Sequence, residues 1–244
     1  MDYKKNNKYF SSNGMLFLVG VPLIIVGIFL CAFVLRWRTM WIGVVTIAAG
    51  IALSLGLKSS AMSDEDFDQV VKNAMNDIEA HSSEVFKFPR RYEVLHPNVI
   101  LGNYDFTRTE ETPVKRGHDL KYRNGFYSGV LFNFTNDGLR IDSRKFSLLH
   151  EDMKEDILYF KWEEVEGAQL DEEEYDVTLT NGKPAKVKGE VFRLKMKDGA
   201  VYSYSVKNTA DVDEAIDCIY RQTVRVKQEE LKARAEAAAD NAKA

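Results

Sequence analysis

Phe126-Tyr127-Ser128-Gly129-Val130-Leu131-Phe132-Asn133-Phe134-Thr135-Asn136-Asp137-Gly138-Leu139-Arg140-Ile141 is the stretch on which the reading of the fold turns. Phe126, Val130, Phe132 and Phe134 share one face of a two-residue period, the pattern of a strand with one side on a core. Asp137-Gly138 breaks the run, and Leu139 and Ile141 resume it. An Asp-Gly pair between alternating apolar residues predicts two antiparallel strands joined by a tight turn, with Phe132 pointing inward.

The same grammar continues towards the C-terminus. Residues 157–162 form a further strand candidate, and Val177 and Leu179 lead into Asn181-Gly182. Phe192, Leu194 and Met196 alternate up to Asp198-Gly199, and Tyr202, Tyr204 and Val206 return on the far side. With 99–106 as the first strand, about seven strands follow, and the three turn dipeptides predict an antiparallel sheet curled around one core. Trp162 is expected in that core or covering one end of it. Beyond Asn208 the period becomes helical, with Val212, Ala215, Ile216, Ile219, Thr223 and Val226 on one stripe. Residues 229–244 are rich in alanine and charge with little to bury, so they read as a fraying tail.

Towards the N-terminus, Ser63 before Asp64, Glu65 and Asp66 reads as a helix cap with an acidic first turn. Phe67, Val70, Val71, Ala74 and Ile78 then predict an amphipathic helix over 64–80, laid on the domain or along a membrane surface. The alternation Asp64, Asp66, Asp68 suggests half of a calcium loop, but Gln69 stands where such a loop needs glycine, so these residues read as helix start.

Residues 15–35 and 40–57 carry no charge, and Arg36 and Arg38 lie in the connecting turn between them. Runs of 21 and 18 residues predict a two-helix transmembrane hairpin, with Trp37 and Trp41 at its boundary. The first run is too long for a signal peptide and lacks a cleavage site. Ala48, Ala52 and Gly56, with Gly50 and Ser54 beside them, form a candidate close-packing face. Five lysines flank the outer ends of the runs against two arginines in the turn, which predicts both termini in the cytoplasm. The chain therefore divides into a tail (1–14), the hairpin (15–57), a helix and linker (58–92), a β domain with its C-terminal helix (93–228), and the final tail (229–244).

The net charge of −4 is uneven, because residues 1–57 hold five basic groups and one acidic, leaving −8 for the rest. An acidic domain is poorly matched to phosphate backbones, so nucleic acid is not an expected partner. Cys31 and Cys218 are the only cysteines and are too few for a disulfide framework.

Phe134-Thr-Asn-Asp-Gly-Leu-Arg-Ile141 resembles a strand-and-turn motif of bacterial pleckstrin-homology-like (PH-like) membrane proteins, and Tyr159-Phe-Lys-Trp-Glu-Glu-Val165 resembles the segment that follows it. The resemblance spans about residues 98–226. It implies a PH-like antiparallel barrel of about seven strands closed by a C-terminal helix, preceded by the membrane hairpin. It also implies that Lys115, Arg116, Lys121 and Arg123, in the loop after the first strand, could grip an anionic lipid headgroup.

No nucleophile elbow, P-loop, zincin motif or paired-cysteine motif occurs. His81, His96, His118 and His150 lack ligand spacing, and His150-Glu151-Asp152 reads as a solvated turn. Asp171-Glu-Glu-Glu174 reads as a solvated acidic loop. No catalytic residue, metal site or cofactor is expected. The functional expectation is a membrane-anchored, non-enzymatic adaptor or scaffold, with the bilayer and a protein partner or a second copy as partners. A headgroup sensor using the four basic residues and an unrecognised enzyme are the alternatives.

Overall fold

The computed structural model describes residues 1–11, 14–33, 41–51, 62–85, 94–108, 112–207 and 209–241. The chain divides into two compact units, residues 2–67 and residues 68–244.

In the smaller unit, α1 (Tyr3–Phe10) opens on Asp2, whose carboxylate accepts the Lys5 amide at 3.0 Å. This is the N-cap bond that satisfies an otherwise orphaned donor. Helix α2 (Gly14–Phe33) and α3 (residues 41–51) meet where Gly27 faces Gly43: a methyl group on either would sit 2.9 Å from the other's carbonyl oxygen. Gly43 and Gly50 are the buried glycines of α3, while Ala48 is exposed and Ala52, Ser54 and Gly56 lie outside the described residues. Tyr9 stacks on Phe67 at 4.4 Å and donates to Asp64 at 2.7 Å, while Phe10 meets Phe67 edge-on. The first fourteen residues thus contain a packed helix.

Among the described residues no helix is long and apolar enough to cross a membrane. The two-span hairpin is therefore corrected, and with it the multi-pass localisation and the assignment of both termini to the cytoplasm. The rest of the two runs, 34–35, 40 and 52–57, lies outside the described residues.

The sheets belong to the larger unit. The described residues hold nine strands: β1 (Val94–Tyr104), β2 (Val114–Arg116), β3 (Tyr122–Asn124), β4 (Phe126–Thr135), β5 (Gly138–Ser147), β6 (Met153–Lys161), β7 (Val165–Thr178), β8 (Pro184–Met196) and β9 (Val201–Val206). They form three antiparallel sheets, ordered β1-β4-β5-β6, β2-β3 and β7-β8-β9. The three turn dipeptides lie where the period put them, and Gly182 and Gly199 adopt φ of 77° and 90°, open to glycine at little cost. Val130, Phe132, Phe134, Phe192, Leu194 and Val206 meet in one core, and Phe132 is wholly buried against Phe192 and Tyr204. Trp162 is also core, its indole N–H donating to the Thr135 carbonyl at 2.8 Å.

No barrel forms. β6 pairs only with β5 and β7 only with β8, and the turn carrying Trp162 interrupts the ladder between them, so each sheet stays open. The closed PH-like barrel is thus corrected to open sheets sharing a core. Two strands escape the sequence pattern altogether, since β2 and β3 have three residues each and no period to read.

Two helices complete the packing. α4 (Asp64–Val85) begins at Ser63, whose hydroxyl accepts the Asp66 amide at 3.0 Å. Its apolar stripe lies on the outer face of the four-stranded sheet, where a methyl at Gly129 would come within 2.6 Å of Met75 Sδ and 2.9 Å of Ile78 Cδ1. Helix α5 (Ala210–Asn241) inserts Val212, Ala215, Cys218, Ile219 and Val226 into the core. Past Val226 it continues as an exposed helix.

Candidate functional site

The β2–β3 ladder places Lys115 opposite Arg123, two like charges that repel unless carboxylates intervene. The turn between them is built for that. Gly117 donates to the Lys121 carbonyl at 2.8 Å, and Leu120 takes φ of 65°, a left-handed conformation costing about 1–2 kcal/mol for a side chain of this kind. Asp119 is thereby turned back on Arg123. Nη1 and Nη2 each donate to an Asp119 oxygen at 2.8 Å, while Nε and Nη2 reach Asp68 on α4 at 2.8 and 2.6 Å. The Arg123 side chain is 2% exposed, and Tyr104 of β1 adds its hydroxyl to Asp68 at 2.8 Å. One planar guanidinium gripping two carboxylates bidentately fixes α4, β1 and the β2–β3 hairpin together.

The electrostatics follow from this packing. The Arg123 hydrogen bonds hold the Asp119 carboxyl far below its ordinary range. Burial pushes Asp68 up, but the bonds from Arg123 and Tyr104 outweigh it and leave the group lowered. Burial and the Asp68 charge drive Tyr104 well above the usual phenol range and push Tyr127 up to about 12.

The clamp forms one wall of a cleft of about 620 Å³, a size suited to a small organic ligand. Val71, Met75, Leu101, Tyr127 and Val187 supply apolar lining, and Lys72, Lys121, Lys188 and Lys207 line it with ammonium groups. At Gly102 a methyl would lie 2.8 Å from both the Ser128 carbonyl and the Tyr127 ring, so only glycine lets β1 take this course. Counting Arg123, five cations face two carboxylates, Asp68 and Asp211. That excess stands out because residues 68–244 carry a net charge of −6, with 27 basic and 33 acidic side chains.

Of the four basic residues singled out in the sequence, Lys121 and Arg123 line the cleft and Lys115 and Arg116 do not. Arg123 is engaged by its two carboxylates. Arg116 lies 5.6 Å over the Tyr122 ring, and its Nε donates to the Leu120 carbonyl at 3.4 Å. Lys72, Lys188 and Lys207 were not legible as a group, because they come from α4, β8 and the end of β9 and share no spacing.

Other polar constellations resolve into structure. The Ser147 hydroxyl lies 3.1 Å from His150 Nδ1, a nucleophile-to-base distance, but Ser147 is 2% exposed and accepts the amides of Leu149 and His150. It is a turn. Asp171–Glu174 is strand rather than loop: Glu172 and Glu174 pair with Lys188 and Lys186, and Arg193 bonds Asp171 and Glu173. Asp142 is wholly buried, with neither oxygen hydrogen-bonded and Arg144 Nε 4.0 Å away, and burial raises its carboxyl above the ordinary range. Arg144 itself bonds Glu155 at 2.8 and 2.6 Å. Among the described residues no group of three or more histidine, cysteine or acidic side chains is placed to hold a metal ion.

No protein-family model, curated protein or solved structure matches this chain, so the local resemblance to PH-like membrane proteins finds no support in whole-chain comparison.

Proposed function

We propose that residues 68–244 form a non-enzymatic binding module whose ligand occupies the clamped cleft. The observation that supports this reading is the cleft itself: a preformed hollow whose wall is tied by four charge-assisted bonds from one arginine. Rigid walls lower the ordering cost of binding. The lining contains no histidine, cysteine or serine; its hydroxyl-to-carboxylate contacts are Tyr104 to Asp68 at 2.8 Å, which belongs to the clamp, and Thr209 to Asp211 at 3.5 Å.

The test is a screen of the full chain against small organic anions, cations and neutral compounds, read by thermal unfolding and by amide resonances. At least one class should raise the unfolding midpoint and shift resonances of Val71 and Leu101. A Met75→Trp variant, which fills the hollow from α4, should lose both responses. If no compound acts on the folded wild type, or if Met75→Trp responds equally, the cleft is not a binding site.

A further inference from the structure

We infer that the cleft takes an amphipathic organic anion: an apolar body against Val71, Met75 and Leu101, and a phosphate or carboxylate head between Lys72 and Lys207. The inference rests on the binding-module reading and adds the chemistry of the ligand. Its starting point is the state of each cation. Arg123 is spent on Asp68 and Asp119, Lys121 lies 3.5 Å from Asp119, and Lys188 is paired with Glu172. Lys72 and Lys207 line the same hollow with no ion-pair partner among the described residues.

Two ammonium groups on one hollow repel each other, modestly because both side chains are exposed. An anion held between them removes that repulsion and gains two charge-assisted hydrogen bonds. The carboxylates reduce this attraction without cancelling it. Arg123 is shared between Asp68 and Asp119, and Asp211, which accepts the Thr209 hydroxyl at 3.5 Å, keeps its charge, yet neither Asp68 nor Asp211 lies in ion-pair contact with Lys72 or Lys207. The apolar lining then selects among anions. A bare inorganic ion leaves Val71, Met75 and Leu101 uncovered, whereas a ligand with a ring or short chain removes their surface from water, worth about 25 cal/mol per Å². A neutral apolar compound covers the floor and leaves the two ammoniums unpaired. Only a molecule with both parts satisfies both surfaces.

The probe is phenyl phosphate, titrated calorimetrically into the full chain beside inorganic phosphate and benzyl alcohol. Phenyl phosphate is expected to bind at least about tenfold more tightly than either comparator, the equivalent of one good contact. Its affinity should fall by about tenfold or more in a Lys72→Ala/Lys207→Ala variant and weaken with added salt. Lys186→Ala, which removes a cation outside the cleft, should leave the affinity unchanged. Charge reversal at Lys72→Glu, an exposed position, should abolish binding without unfolding the chain.

Inorganic phosphate binding as well as phenyl phosphate would overturn the apolar half, and benzyl alcohol doing so would overturn the anionic half. Affinity unchanged in the double lysine variant would move the head elsewhere and also overturn the inference. If neutral or cationic compounds bind in the cleft while phenyl phosphate does not, the ligand class falls and the binding module stands. If no compound binds there, both fall.

Discussion

The β4–β5 and β7–β8 hairpins are built from similar turn signals and end in different surroundings. All ten residues of β4 are buried, and so are eight of the ten in β5, because α4 covers one face of the sheet and the shared core covers the other. β7 is almost entirely exposed or half-exposed, and it carries a row of carboxylates matched by lysines and an arginine on β8. An antiparallel hairpin commonly keeps one face in water, and its polar residues then stay solvated. Covering both faces of β4–β5 forces Asn133, Asp142, Ser143 and Arg144 inside. A charge pair on the open hairpin is therefore an ornament to stability, and a buried one in the covered region is a constraint.

Phe132→Ala should be the most damaging test of this contrast. The ring is wholly buried among Phe134, Phe192 and Tyr204, and its loss should cost about 3–5 kcal/mol in denaturant unfolding. Arg123→Ala should come next. A fully buried pair costs more to break, but the Asp68 and Asp119 side chains are 45% and 33% exposed and regain water, so about 2–3 kcal/mol is expected. Chemical denaturation of this variant at neutral pH checks the figure.

Acid should act through the same clamp. Asp68 and Asp119 titrate below 3.8 in the folded chain, so their stabilisation is complete above that value and drains as pH falls below it through their folded pKa values. Asp142 has the opposite sign: its raised pKa makes its ionisation destabilising as pH climbs past 3.8. Melting curves taken downward from pH 5 should show a steep acid limb that flattens in Asp119→Asn.

Gly129→Ala should cost about 1–2 kcal/mol, since the new methyl meets the ends of Met75 and Ile78. Because Met75 lines the cleft, that substitution should also alter the ligand-induced shift in melting. The smallest effect belongs to Lys186→Ala on the open hairpin, whose unfolding midpoint should match the wild type within error.

What the sequence made legible follows the same division. The inward face of β4, the three turns, the stripe of α5 and the Ser63 cap are all local patterns, readable from residues within a few positions. The clamp is not local: Arg123 meets Asp68 across 55 positions, and nothing in Lys121-Tyr122-Arg123 distinguishes a buried guanidinium from a solvated one. The cleft draws on α4, β1, β3, β8 and the start of α5. Its lysines converge only because α4, the β2–β3 hairpin and the three-stranded sheet border the same hollow. The apolar runs at 15–35 and 40–57 misled for a different reason, since hydropathy records how apolar a stretch is and not how much of it forms one spanning helix.

The open sheets have one more consequence, at β6. Among the described residues this strand has a hydrogen-bonded neighbour on one side only, and Met153, Ile157 and Tyr159 stand 64%, 46% and 45% exposed. A bare edge with apolar side chains is a template on which another chain can add a strand and seed aggregation. Lys154, Glu155 and Asp156 interrupt that template at its middle. They act as gatekeepers: a second copy laid along β6 would have to bring its own charges against them and strip their water before its backbone could pair.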